Sequence, residues 1–219
     1  KNRFEFLDLK PCLSNLPFSP TPGQVKVFKD IIKDLQSAYI MNRLVQGDVG
    51  SGKTLVACAA LYLAVKNGFQ GVMMAPTEIL AEQHYHTLKQ LLNPHNITVE
   101  ILKGGLGRKD RKNRLAKLKN GDIDVLVGTH ALIQKDVEFH RLGMVVTDEQ
   151  HRFGVKQREN LVSKGQYPDV LVMSATPIPR TVAMVIYSDL DISVIDTLPE
   201  GRQKVEPYVV QNYMRKRVY

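Results

Sequence analysis

The stretch Gln46-Gly47-Asp48-Val49-Gly50-Ser51-Gly52-Lys53-Thr54 decides the fold of this chain. Its spacing Gly-x-x-x-x-Gly-Lys-Thr is typical of a loop that binds nucleotide phosphates. The glycines allow positive φ angles and keep side chains away, so that backbone N–H groups can converge on phosphate oxygens. In such loops the lysine contacts the β- and γ-phosphates, and the hydroxyl after it binds Mg²⁺. We therefore predict a nucleotide site in which Lys53 contacts phosphate and Thr54 is a Mg²⁺ ligand.

The residues around this loop predict a strand before it and a helix after it. The strand covers residues 43–46, and the apolar helix covers residues 54–65 and ends at Asn67-Gly68, a usual helix stop. Strand and helix patterns then alternate: strands are predicted over residues 71–75, 97–102, 123–127, 143–147, 170–173 and 192–195, and helices over residues 78–92, 108–119 and 179–187. This alternation indicates an α/β fold, a doubly wound and mostly parallel sheet with helices on both faces. Ligands of such sheets lie at the carboxyl ends of the strands.

Composition favours a soluble domain with a polyanionic partner. The chain has 219 residues, 43% of them hydrophobic, and a net charge of +8. A positive surplus suits a nucleic acid, although lysine also serves solubility. No apolar run reaches membrane-spanning length and no signal peptide opens the chain, so we expect no membrane association and a reducing cytoplasm. Cys58 lies in the apolar helix after the loop and is expected to be a small buried side chain, not a disulfide partner of Cys12.

The segment before the phosphate loop predicts a connector and one helix. Residues 1–15 show no clear period and are interpreted as a connector from a preceding segment. Thr21 can cap a helix that begins at Pro22, and Gln24 completes a capping box. Gln24 has an alternative role as a reader of adenine, since a carboxamide both donates to and accepts from a base edge.

An acidic pair follows the strand predicted over residues 143–147. Asp148 can hold the Mg²⁺ that bridges the phosphates, and Glu149 can orient or deprotonate the attacking water. Such a pair is also common in a solvated turn, but the phosphate loop upstream favours the catalytic interpretation. His151 is either a solvated loop residue or a link between the nucleotide and a partner site.

Five segments, in this order along the chain, resemble the motif series of superfamily 2 helicases. They begin at Gly47, Ala75, Gly128, Asp148 and Met173 and read GDVGSGKT, APTEILAEQH, GTHALI, DEQHRFG and MSATPIPRT. The resemblance covers residues 16–202 and is close to the RecG branch, bacterial ATP-dependent DNA helicases that remodel forked and four-way junctions. Thr147 departs from the family, which usually has an aliphatic residue there.

Three other functions stay open at this point. Transcription-repair coupling translocases and replication-restart helicases are related, but they would need other residues at Ser51 and Gln150. A phosphate-loop ATPase that is not a helicase would lack the Pro76-Thr77 and Ser174-Ala175-Thr176 motifs. A nucleotide-binding module without catalysis of its own is the third alternative.

The resemblance implies a RecA-like ATP-binding domain with ATP and Mg²⁺ as cofactors. The implied nucleotide contacts are Phe18 as a stacking partner of the base, Gln24, Gly47, Asp48, Val49, Gly50, Ser51, Gly52, Lys53 and Thr54. The implied metal residues are Thr54 and Asp148, and the implied catalytic residues are Lys53, Glu149 and His151. His151, Ser174 and Thr176 are implied to couple hydrolysis to movement.

The same resemblance implies contacts with the backbone of branched or double-stranded DNA. The residues concerned are Pro76, Thr77, Gln83, Gly104, Gly105, Thr129 and His130. Small hydroxyls and loop N–H groups suit phosphates without reading sequence, but helix capping is an alternative role for Thr77 and Thr129. The basic stretch over residues 103–119 can be a solvated helix or part of the DNA surface, and the glycine pair is the better candidate for a DNA contact.

The resemblance also predicts the domain organisation. Residues 16–198 are expected to form the first RecA-like domain, and residues 199–219 a linker and the first strand of a second one. In the family the second domain carries arginines that reach the γ-phosphate, and a wedge domain precedes the motor. Both are expected partners in a full-length chain, so that the 219 residues alone should bind Mg-nucleotide weakly and hydrolyse little ATP.

Overall fold

The computed structural model describes residues 4–149, 155–175 and 190–197. The strands are β1 (Asn42–Gly47), β2 (Gln70–Met74), β3 (Val99–Leu102), β4 (Val125–Gly128), β5 (Leu142–Glu149), β6 (Asp169–Ser174) and β7 (Asp191–Ile195). The helices are α1 (Lys10–Ser14), α2 (Pro22–Gln36), α3 (Lys53–Lys66), α4 (Glu78–Leu92), α5 (Arg108–Asn120) and α6 (Val155–Val162), with short 3-10 helices at Asn93–His95 and His130–Ile133. The helix predicted over residues 179–187 and the strand predicted within residues 199–219 lie outside the described residues.

The strands form one sheet in the order β3-β4-β2-β5-β6-β1-β7. All the strand pairs that the structure describes are parallel. Side chains of one strand alternate between two apolar clusters: Met144 and Val146 of β5 pack with α2, α3 and α4, whereas Val145 packs with α5 and α6. The predicted α/β fold, a doubly wound parallel sheet covered on both faces, is therefore confirmed.

Two helices next to the phosphate loop begin within one residue of where the sequence predicts. Thr21 accepts from the Gln24 amide and Gln24 accepts from the Thr21 amide, which is the capping box expected at the start of α2. The helix α3 is buried almost all round and ends before Gly68, which has a φ of 78°. Such a helix is fixed by apolar contacts on every side, so it holds its first residue, Lys53, rigidly at the carboxyl edge of the sheet.

The segment before α2 packs on the same core, which the sequence did not predict. Phe4, Leu9 and Cys12 are buried, and the Phe4 ring stacks on Phe69 with 5.3 Å between ring centroids. Cys12 and Cys58 are both buried and free, as expected for Cys58. The pKa of the Cys58 thiol is raised mainly by its contact with Cys12 and, to a lesser extent, by burial. Among the described residues, no helix is long and apolar enough to cross a membrane.

Thr147 in β5 buries a hydroxyl where the family usually has an aliphatic side chain. It is 2% exposed, and its Oγ1 has no hydrogen-bond partner within the described ranges. Since side chains alternate along a strand, it shares the apolar face of Val145. We expect Thr147→Val to raise the free energy of unfolding by about 1–2 kcal/mol, because an unsatisfied buried hydroxyl carries a desolvation cost of that order. Urea denaturation measures this change.

The matched control is Val145→Thr, two residues earlier on the same face. It adds a buried hydroxyl and should lower the free energy of unfolding by a similar amount. A Thr147→Val variant no more stable than the wild type would mean that the Thr147 hydroxyl is satisfied in solution.

Candidate nucleotide-binding site

The phosphate loop and the acidic pair lie beside each other at the carboxyl edge of the sheet. Gln46, just before the loop, aligns with Ser174 of β6, and Ser174 aligns in turn with Glu149 of β5. Asp148 aligns with Met173 in the same strand pair. Residues separated by about a hundred positions in the chain are thus brought together by the parallel pairing.

The loop itself has the backbone that its glycines require. Gly50 and Gly52 have φ values of 79° and 82°, a region that L side chains rarely adopt. A Cβ at Gly52 would also lie 2.1 Å from the Gln24 amide nitrogen. Ser51 Oγ is buried and has no hydrogen-bond partner in the described part of the chain, and a phosphate oxygen is an acceptor that suits such a donor. The loop therefore fits a phosphate group.

Lys53 is the first residue of α3 and turns its side chain back into the loop. Its Nζ donates to the carbonyl oxygens of Gly47 at 2.5 Å and Asp48 at 2.9 Å. Burial lowers its pKa, while the carboxylates of Asp148 and Asp48 act in the opposite direction. An ammonium with three donors in this position can exchange loop carbonyls for phosphate oxygens when a nucleotide enters.

Thr54 and Asp148 carry the oxygen atoms expected of a Mg²⁺ site. Thr54 follows Lys53 in the first turn of α3, and the Asp148 side chain is 15% exposed. No cluster of three or more His, Cys, Asp or Glu side chains that could hold a metal occurs in the described ranges. This finding is compatible with Mg²⁺, which is commonly bound by one or two carboxylates together with substrate phosphates.

Gln24 takes part in both the helix cap and the phosphate loop. It is 2% exposed; besides its capping contact, its Nε2 donates to the carbonyl oxygen of Ser51 at 2.9 Å. The capping alternative is therefore present in the structure, and the adenine role stays a prediction. Phe18 and Val49 are 53% and 66% exposed, so both are accessible to a ligand.

A cavity of about 190 Å³ lies between the loop and the end of β7. Gly47 and Asp48 line one side, and Asp196 and Thr197 line the other. The Thr197 hydroxyl accepts from the Gly23 amide at 3.0 Å and donates to Thr21 at 2.9 Å. The end of β7 is thereby tied to the start of α2, which closes this side of the nucleotide site.

The predicted DNA residues form two groups at the same edge of the sheet. Gly104, Gly105, Thr129 and His130 line one cavity of about 240 Å³, together with Lys103 and Arg111. Gly105 and His130 are exposed, whereas Thr129 is only 4% exposed. The second group lies just before and on α4: Pro76 is partly buried, and Thr77 and Gln83 are exposed. Thr77 also accepts from the Leu80 amide at 3.3 Å, so the capping alternative is present here too.

Three of the seven Lys and Arg side chains of the basic helix α5 have acidic partners. Arg111 forms a bidentate contact with Asp136, Arg114 lies 3.4 Å from Glu100, and Lys119 lies 2.5 Å from Glu138. For these cations the structure favours the solvated-helix interpretation over a DNA surface.

His84 on α4 is a candidate site residue that the sequence reasoning missed. It is 8% exposed, and its Nε2 lies 2.7 Å from Asp148 Oδ2. The available signal was its position: residues 81, 84, 88 and 92 are buried on α4, and a histidine among apolar residues on a buried helix face needs a polar partner.

Several predicted residues lie beyond what the structure describes. His151 and Thr176 are outside the described residues, and only the backbone of Glu149 is described. Ser174 is buried at the end of β6. The roles assigned to these four residues stay predictions.

Known proteins resemble this chain over nearly its whole length. RecG of Bacillus subtilis, an ATP-dependent DNA helicase, is 51% identical over 218 residues, which is 100% of this chain and 32% of that protein. RecG of Aquifex aeolicus is 50% identical over 96% of this chain and 27% of its own length. A solved structure of RecG bound to a three-way DNA junction superposes with a TM-score of 0.84 at 44% identity and covers 95% of this chain and 28% of that one.

These identities confirm the resemblance to RecG helicases that the motif order predicted. The chain spans about a third of the length of the curated relatives it matches. A family model described as DEAD/DEAH box helicase matches residues 21–185. The chain therefore belongs to the DEAD/DEAH box helicase family.

Proposed function

We propose that this chain is the ATP-binding motor domain of an ATP-dependent DNA helicase or translocase that remodels branched DNA in recombination and repair. The observation that carries the proposal is the register that places the phosphate loop, Ser174 and the Asp148-Glu149 pair side by side across β1, β6 and β5. A phosphate cradle next to a carboxylate pair is the arrangement that nucleotide hydrolysis requires.

The proposed roles follow from the family resemblance and from the positions of these residues at the carboxyl edge of the sheet. Lys53 and the loop amides bind the phosphates, Thr54 and Asp148 hold Mg²⁺, and Glu149 positions or deprotonates the attacking water. Held by Thr54 and Asp148, Mg²⁺ would neutralise negative charge that develops on the phosphates. Gln24 supports the loop through Ser51 and reads adenine, with Phe18 stacking on the base.

The proposed DNA contacts lie at the edge where the nucleotide site also lies. The cavity lined by Gly104, Gly105 and His130 offers a glycine loop that phosphates can approach closely, and an imidazole, to the DNA backbone. The solved RecG structure that superposes on this chain is bound to a three-way DNA junction, which supports DNA as the partner and a branched form as the substrate.

The proposed domain arrangement rests on the resemblance to RecG helicases. Residues 16–198 form the first motor domain, residues 199–219 lead into a second RecA-like domain, and residues 1–15 connect to a wedge domain. The partial coverage of the RecG relatives supports further domains. The bacterial origin of these relatives and the two free thiols support a reducing bacterial cytoplasm as the compartment.

The DNA proposal is tested by binding of the full-length protein to junctions of scrambled sequence across a salt series. We expect DNA affinity to be independent of sequence. A plot of the logarithm of the binding constant against that of the salt concentration should fall with a slope of about −0.9 for each phosphate contact on duplex DNA. His130→Ala should weaken binding by about 2- to 10-fold, the value of one hydrogen bond.

The matched control is His140→Ala. His140 is also exposed, but it precedes β5 and so lies at the opposite edge of the sheet, where we expect no effect on DNA affinity. Strong preference for one sequence, or equal effects of the two variants, would contradict the proposed DNA surface.

A further inference from the structure

A hydrogen bond joins the helix α4 directly to the proposed metal ligand. His84 Nε2 and Asp148 Oδ2 are 2.7 Å apart, and their side chains are 10% and 15% exposed. An ionised carboxylate only accepts hydrogen bonds, so the imidazole donates. A largely buried hydrogen bond to a carboxylate is stronger than an exposed one, because the surrounding medium screens the charge less.

The position of this contact follows from the sheet. Asp148 continues the alternation of Met144 and Val146 in β5, whose side chains pack on the α3 and α4 side. His84 approaches from α4 on that side, whereas the phosphate loop approaches from β1, on the far side of β6. A carboxylate has two oxygens, and the bond from His84 engages Oδ2, which leaves Oδ1 for a cation.

The exposed side of the same helix is tied to the candidate DNA surface. Glu78 accepts from the Gly104 amide at 3.1 Å, and Glu82 accepts from Lys103 Nζ at 2.6 Å. Gln83, the residue before His84, is exposed. Because neighbouring residues of a helix point about 100° apart, α4 presents one residue to the proposed DNA surface and the next to the proposed metal ligand.

We propose that His84 is a positioning residue that holds the Asp148 carboxylate in its metal-binding orientation and couples α4 to the nucleotide site. DNA that engages Thr77, Gln83 and the Gly104 loop displaces or fixes α4, and the rigid helix passes that change to Asp148 through His84. The inference rests on the proposed function, since it takes Asp148 as the Mg²⁺ ligand and α4 as a DNA contact. It adds a specific connection between the two sites.

The first test is the Mg²⁺ dependence of nucleotide binding by the full-length protein, followed with a fluorescent ADP. His84→Leu fills the site but removes the donor, so we expect the half-saturating Mg²⁺ concentration to rise by about 10- to 100-fold, the usual effect of losing a hydrogen bond to a metal ligand. His84→Gln keeps a donor and should recover most of the loss. His86→Ala, an exposed histidine on the same helix, is the control and should match the wild type.

The second test asks whether His84 acts through Asp148. In an Asp148→Asn background, His84→Leu should cause little further change in nucleotide binding, because residues that act as a unit are not additive. In the Asp148 wild-type background, His84→Leu should also reduce the stimulation of ATP hydrolysis by a three-way junction at saturating Mg²⁺, with kcat falling more than KM rises.

The outcomes separate this inference from the proposed function. A wild type that hydrolyses ATP on adding junction DNA, together with a His84→Leu variant of unchanged Mg²⁺ dependence, would overturn the role of His84 alone. If the effects of His84→Leu and Asp148→Asn on nucleotide binding were fully additive, the role of His84 would also be overturned. A wild type with no Mg²⁺-dependent nucleotide binding or no DNA stimulation would instead overturn the proposed function.

Discussion

Replacing Glu149 by glutamine is expected to lower ATP turnover of the full-length protein by about 10²–10⁴-fold, the usual contribution of a general base, while ATP still binds. Glu149 ends β5 and aligns with Ser174, next to the strand that leads into the phosphate loop. Glutamine has nearly the same shape but cannot take a proton from water. Binding should persist, since the phosphates are held by the loop and by Lys53.

The two effects are measured separately. Steady-state phosphate release with junction DNA gives turnover, and calorimetry with ATP and Mg²⁺ gives affinity. Glu138→Gln is the matched control, because Glu138 is an exposed acid that pairs with Lys119 away from the loop; its turnover should stay within about twofold of the wild type, as for other surface substitutions that leave function intact. Normal hydrolysis by Glu149→Gln would leave Glu149 without the proposed role.

Local signals in the sequence were enough to predict the bounds of the helices α4 and α5. The helix α4 was predicted over residues 78–92 and is observed as Glu78–Leu92, because Thr77 caps its start and Pro94 stops it soon after its end. The helix α5 was predicted over residues 108–119 and is observed as Arg108–Asn120, because Gly121 follows it with a φ of 86°. Caps and stops act within a few residues, so they can be identified without knowing the tertiary structure.

Contacts between distant residues could not be predicted in this way. The bond between His84 and Asp148 joins residues 64 positions apart, and it depends on β2 and β5 being neighbours, which periodicity does not specify. The acids that pair with α5 lie in β3, for Glu100, and after β4, for Asp136 and Glu138, and they were not identifiable as its partners. The helices α1 and α6 were also missed, since they have 5 and 8 residues and a short segment shows little period.

The sequence motifs identified the parts of the nucleotide site but not the hydrogen-bond partners of the Lys53 side chain. A Gly-Lys-Thr spacing predicts that the lysine contacts phosphate, whereas in the structure its ammonium is bonded to carbonyl oxygens of the loop. Those carbonyls satisfy a charge that burial would otherwise destabilise. A nucleotide therefore has to replace existing contacts, and the resulting affinity depends on the exchange and not on the lysine charge alone.

Lys53→Ala is expected to lower kcat/KM for ATP by about 10²–10³-fold, the cost of removing one well-placed charged donor from a phosphoryl-transfer site. Nucleotide binding should weaken as well, because the phosphates lose a charge-assisted contact. The loop should keep its fold, since the φ angles of Gly50 and Gly52 and the bond from Gln24 to Ser51 do not involve the lysine side chain. Calorimetry with ATP and Mg²⁺, together with phosphate release, measures both changes.

Lys66→Ala is the control that separates the effect of losing a lysine at the nucleotide site from the effect of losing one elsewhere on α3. Lys66 lies in the last turn of α3, where its Nζ donates to the His95 carbonyl at 3.1 Å, so the same substitution is made at the end of the helix away from the loop. Its kcat/KM and ATP affinity should equal those of the wild type. If Lys53→Ala bound and hydrolysed ATP as Lys66→Ala does, the phosphates would have to be held by the loop amides without the lysine, and the proposed site would be wrong.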